Sequence, residues 1–134
     1  MNDELIQQAL IVGAKYPVFP TNQKIPCWSN KDLDLPAGQG GYKIATQDPD
    51  EIRRLFSHKN ATEIAVPMGT MSGLLCVDVD LYKGEGTAEW MADNQHWLGS
   101  TRAHKTRSGG VHYIFKHVTG ERFPATIAPG LDIK

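Results

Sequence analysis

Two aspartates set one apart in an otherwise apolar run, Leu74-Leu75-Cys76-Val77-Asp78-Val79-Asp80, are the first residues of this chain whose types and spacing point to chemistry. On a strand, residues two apart share a face, so Asp78 and Asp80 stand together with Cα atoms about 6.5–7 Å apart. At that separation two carboxylates repel by ~2.4 kcal/mol at an effective dielectric near 20. A divalent cation converts the repulsion into coordination, and hard oxygen donors on one face suit Mg²⁺ or Mn²⁺, including a closely spaced pair of ions. The plainer alternative ends the strand at Val77 and leaves both acids in a solvated turn. A calcium loop is excluded, because Tyr82 takes the place of the fifth ligand and Lys83 that of the required glycine.

A second group is Thr106-Arg107-Ser108-Gly109-Gly110-Val111-His112. Gly109 and Gly110 let backbone N–H groups approach an anion, Ser108 adds a hydroxyl, and His112 follows on the face opposite Val111 and Tyr113. The alternative is a hairpin turn with an incidental histidine. It is not a Walker loop: Gly38-Gln39-Gly40-Gly41-Tyr42-Lys43 lacks both the spacing and the Ser/Thr. No acid lies between Asp93 and Glu121, whereas Arg102, Lys105, Arg107 and Lys116 do, with His104, His112 and His117. Such a basic interval suits a triphosphate or a nucleic-acid backbone, or else the charged edge of a sheet. Leu131-Asp132-Ile133-Lys134 adds a third acid between apolar residues.

The elements that must carry these groups can be read from periodicity. Leu5, Ile6, Ala9, Leu10 and Val12 recur at helical spacing over residues 3–14. Residues 17–20 form a short extended run, and the Pro- and Gly-rich stretch 21–41 reads as loop. Asp48-Pro49-Asp50-Glu51 is a helix start with a cap, a first-turn proline and a capping-box acid. Strands are expected over 64–68 and 74–80, joined by the tight turn 69–73, and a helix over 87–97 with Ala88, Trp90, Met91 and Trp97 on its apolar side. Strands follow over 101–107, 111–117 and 127–133. The class is α+β, a mixed central sheet with flanking helices.

Composition sets the outer bounds. The 134 residues suffice for one domain, spanning 1–134, and 40% hydrophobic with 22% charged residues is an ordinary folded composition. A net charge of −1 counts against a generic polyanion binder, although acids and the basic C-terminal interval cancel in that total. Two separated cysteines, Cys27 and Cys76, provide no disulfide framework and fit a reducing, cytoplasmic setting. The acidic start and the lack of a long apolar run argue against secretion and membrane insertion.

In this order and spacing, the D-x-D, the S-G-G-x-H and the late hydrophobic-Asp resemble the three active-site motifs of the primase-polymerase (prim-pol) domain of the archaeo-eukaryotic primase superfamily. The resemblance also takes in Val18-Phe19-Pro20, Lys24 with Pro26, Ala45-Thr46 before Asp48-Pro49, Gly69 with Ser72-Gly73-Leu74, and Phe115. It implies a primase-like fold with an RRM-like catalytic sheet. It also implies two divalent ions, Mg²⁺ or Mn²⁺, on the catalytic Asp78, Asp80 and Asp132, with Ser108, Gly109 and His112 binding the nucleotide. Arg102, Lys105 and Arg107 are further candidates for triphosphate or template contacts, on charge alone. The expected function is metal-dependent nucleotidyl transfer, making or extending a primer on a single-stranded DNA template in phage, plasmid or bacterial replication. The partners would be primer, template, nucleoside triphosphates and a helicase. Alternatives are an inactive nucleotide- or nucleic-acid-binding module of a replication initiator, and a metal-dependent phosphohydrolase. Family members continue beyond the third motif into a Gly-rich strand and a Pro-Pro-Ser segment, so the domain is expected to be incomplete at its C-terminal end.

Overall fold

The computed structural model describes residues 3–79, 85–98, 100–106, 110–117, 126–128 and 131–133. The fold is α+β, and its contacts gather into two units, residues 1–67 and 68–134.

In the first unit, α1 (Asp3–Gly13) begins with Asp3 and Glu4, whose charges complement the positive end of the helix dipole. Its apolar stripe, Leu5, Ile6, Ala9, Leu10 and Val12, packs into a core made with Val18, Ile52, Leu55 and Phe56. Ile52, Leu55 and Phe56 come from α2 (Pro49–Phe56), and burying side chains of this size contributes ~1.5–3 kcal/mol each. The two helices approach closely at Gly13, where a Cβ would stand 2.4 Å from Ile52 Cδ1. Asp48 caps α2 by accepting the Asp50 N–H at 2.9 Å. The expected capping box is only half made: Glu51 turns instead to the Arg54 guanidinium at 2.6 Å, and the Asp48 N–H donates to Thr46 Oγ1.

Three strands complete this unit: β1 (Phe19–Asn22), β2 (Ile25–Pro26) and β3 (Glu63–Ala65), antiparallel in the order β2-β1-β3. The stretch expected as loop thus holds the β1–β2 hairpin, whose turn places Gln23 at φ 50° and Lys24 at φ 67°. Neither residue favours that left-handed conformation. The Glu63 carboxylate offsets the cost by accepting the Lys24 N–H and the Thr21 hydroxyl, each at 2.9 Å. Further on, Ser29 and Asp32 bond each other's backbone N–H reciprocally, closing a helical turn that brings Leu33 onto the core. Trp28 donates its indole N–H to the Leu55 carbonyl at 2.8 Å, tying this segment to α2.

The second unit is a five-stranded antiparallel sheet with a helix. Its elements are β4 (Leu74–Val79), α3 (Glu85–Leu98), β5 (Arg102–Lys105), β6 (Val111–Lys116), β7 (Thr126–Ala128) and β8 (Leu131–Ile133), and the strand order is β5-β6-β4-β8-β7. Alternation along β4 and β6 sends Val77, Val79, Val111, Tyr113 and Phe115 to one face, where they pack with Trp90 and Leu98 of α3.

The strands on either side of the 69–73 turn have different partners: β3 pairs with β1, and β4 with β6 and β8. The turn itself is tight, with Gly69 at φ 101°, Gly73 at φ 71°, and the Gly73 N–H donating to the Gly69 carbonyl at 2.8 Å. The single strand expected over 127–133 is instead two, β7 and β8, antiparallel to one another. The residues between them are Pro129 and Gly130, a turn dipeptide that a continuous strand tolerates poorly.

Candidate active site

Asp78 lies inside β4, not in a turn after it, and is only 7% exposed. That removes the solvated-turn alternative for this residue. An isolated carboxylate is costly to bury, so its neighbours decide what it does there. On one side, β6 places His112 as its register partner, with Nε2 3.2 Å from Asp78 Oδ1. The closeness follows from the ladder. The His117 N–H donates to the Gly73 carbonyl at 2.8 Å, and hydrogen-bonded and non-hydrogen-bonded pairs alternate from there, which makes Asp78 and His112 a pair of the second, closer kind. On the other side, β8 places Asp132 as the register partner of Asp78.

Register partners share a face of a sheet. A single row therefore crosses five strands: His104 on β5, His112 on β6, Asp78 on β4, Asp132 on β8 and Thr126 on β7. This face is the one turned away from the α3 core. Acidic positions occupy the β4–β8 half of the row and imidazoles the β6–β5 half.

Arg102 pairs with Ile114, which pairs with Cys76, so Arg102 belongs to the next row on the same face. Lys105 pairs with Val111 and takes the opposite, core-side face, although it is exposed at the sheet edge. The β5–β6 hairpin is closed at its mouth by Thr106, whose N–H donates to the Gly110 carbonyl and whose Oγ1 accepts the Gly110 N–H at 2.8 Å. Asp80, Arg107, Ser108 and Gly109 lie outside the described residues, and Asp132 is placed by its backbone alone.

His104 belongs to none of the three motifs; the signal for it is the pairing of the two expected strands, which sets 104 opposite 112, as it sets 106 opposite 110. Among the described residues, no group of three or more His, Cys, Asp and Glu side chains is gathered as a metal cluster, and no helix is long and apolar enough to cross a membrane.

The family described as Prim-Pol, bifunctional DNA primase/polymerase, N-terminal, matches residues 8–134, which takes in both units. No curated protein and no solved structure matches the chain.

Proposed function

The chain belongs to the Prim-Pol family of bifunctional DNA primase/polymerase N-terminal domains, and on that premise we propose that it transfers nucleotidyl groups from nucleoside triphosphates to a primer on a single-stranded DNA template. The observation that carries the proposal is the buried Asp78, held in one row between His112 and the register position of Asp132. Two acids meeting across a ladder destabilise a sheet unless a cation joins them, and their oxygens are the hard donors that Mg²⁺ and Mn²⁺ prefer.

The donor chemistry therefore fits a divalent-ion site, with Asp78 and Asp132 as ligands and Asp80, from the same motif, as the third. When bound, such a pair of ions lowers the pKa of the primer 3′-hydroxyl and neutralises charge on the departing pyrophosphate. The protein's own residues do the positioning. His112, in the row beside the acids, presents its imidazole to the phosphates of the incoming nucleotide, with Asp78 orienting the ring at 3.2 Å. Thr106 and Gly110 close the mouth of the β5–β6 hairpin, and Ser108 and Gly109, which lie between them in sequence, are by motif the further donors to the nucleotide. No covalent enzyme intermediate is required, because alignment and electrostatics suffice for in-line displacement. Primer, template and nucleoside triphosphates are the partners this reaction calls for, and the family resemblance adds a helicase, in phage, plasmid or bacterial replication.

Calorimetric titration with Mn²⁺ and a non-hydrolysable nucleoside triphosphate tests the site. Asp78→Ala should lose metal-dependent nucleotide binding while remaining folded. His112→Ala should keep metal binding and weaken the triphosphate about tenfold, the worth of one charge-assisted hydrogen bond. Unchanged metal and nucleotide affinity in Asp78→Ala would sink the assignment.

A further inference from the structure

The row through Asp78 does not stop at His112. Beyond it, at the sheet edge, β5 carries His104 in the same row and Arg102 in the next row of the same face, both exposed. Resting on the nucleotidyl-transfer reading above, we propose that Arg102 and His104 form the distal end of the triphosphate site, so that the β5 edge distinguishes a triphosphate from a monophosphate.

Three observations carry this. The face is ordered by charge, with acids on β4 and β8, an imidazole on β6, and an imidazole and a guanidinium on β5. From β4 to β5 is two strand spacings, ~9.6 Å, a span that an extended triphosphate lying across the strands would follow from the acids to the edge. No acid occurs between Asp93 and Glu121, so nothing in β5, β6 or the loop joining them opposes an anion there. Arg102 offers a planar fork of donors for a terminal phosphate and His104 a ring N–H, a pairing suited to charge-assisted hydrogen bonds.

A charged edge strand can also serve only to prevent edge-to-edge pairing. That role makes no distinction between faces. Lys105, equally exposed on the same strand, sits in the row of Val111 and Val79 on the other side of the sheet, and has no part in the proposed site.

The test compares a nucleoside triphosphate with the matching monophosphate, each titrated in Mn²⁺ against the full chain and three variants. Arg102→Ala and His104→Ala should each weaken the triphosphate about tenfold and the monophosphate less than twofold, while Lys105→Ala leaves both unchanged. Retained monophosphate binding doubles as the check that a variant is folded. If all three variants bind triphosphate like the parent while His112→Ala does not, the β5 site is wrong and the nucleotidyl-transfer reading stands. Equal losses in all three, Lys105→Ala included, would mean diffuse charge and not a site, which also overturns it. If the parent chain shows no preference for triphosphate over monophosphate, this inference falls, and if it binds neither, the reading beneath it falls too.

Discussion

Replacing Asp78 by asparagine should make the metal-free protein more stable while removing its metal-dependent nucleotide binding. The substitution keeps the side chain's size and removes one buried charge. Register partners in an antiparallel ladder stand about 5 Å apart, and two carboxylates at that spacing repel by ~3 kcal/mol at an effective dielectric near 20. Against that relief stands the ion-pair contact with the half-exposed His112, whose Nε2 lies 3.2 Å from Asp78 Oδ1, worth at most about 1 kcal/mol. The difference leaves Asp78→Asn about 2 kcal/mol more stable, which for a chain of this size raises Tm by roughly 6 °C. The measurement is thermal unfolding by circular dichroism at pH 8 in EDTA, then repeated with Mn²⁺, where the parent chain should recover or exceed the variant because the ion binds only the folded site. A variant destabilised by more than 1 kcal/mol in EDTA would show the opposite. Asp78 would then be a structural partner of His112, and not an acid held under electrostatic strain for an ion.

Two further outcomes follow from the first unit. Asp48→Ala removes the acceptor of the Asp50 N–H at the start of α2 and should lower stability by about 1 kcal/mol, read as a lower urea midpoint with an unchanged slope. Burial, with a smaller contribution from the Glu63 carboxylate, pushes the Cys27 thiol pKa up, so the native state holds this proton longer than the unfolded chain does. Stability should therefore fall as pH rises past the free-thiol value of about 8.5, and Cys27 should alkylate more slowly in the native protein than in urea at pH 8.5. Glu63→Gln should speed that alkylation in the native state, and an unaltered rate would show that the carboxylate does not act on the thiol.

How much of this was legible in the residues depends on the range over which the determining contacts act. Local signals read well: the apolar stripe of α1, the Asp48-Pro49 start of α2, and the alternation that buries Val77 and Val79 all follow from neighbours within one or two turns. Three features are harder to read. Gln23-Lys24 turns the β1–β2 hairpin without an Asn or Gly, because Glu63, distant in sequence, supplies the compensating bond. The reciprocal Ser29–Asp32 bond is an S-x-x-D pattern that orders one turn within an otherwise irregular stretch. Pro129-Gly130 is a turn signal set between apolar residues that by themselves read as strand.

The site itself divides in the same way. The chemistry of Asp78, His112 and Asp132 could be named from type and motif, but their meeting in one row depends on long-range pairing, β4 with β6 and with β8, which no spacing within a motif encodes. Lys105 is the converse case, where local periodicity suffices: it and Arg102 are alike in charge and lie three apart, and on a strand an odd interval puts them on opposite faces.

Template-directed primer extension decides whether the Asp78 row carries out metal-dependent nucleotidyl transfer. With a labelled primer on single-stranded DNA, nucleoside triphosphates and Mn²⁺, the parent chain should lengthen the primer according to the template, and both EDTA and Asp78→Ala should abolish the product. Triphosphate binding without extension would rule out nucleotidyl transfer and leave a nucleotide-binding module. Release of phosphate or strand cleavage without a template would contradict it in favour of a phosphohydrolase.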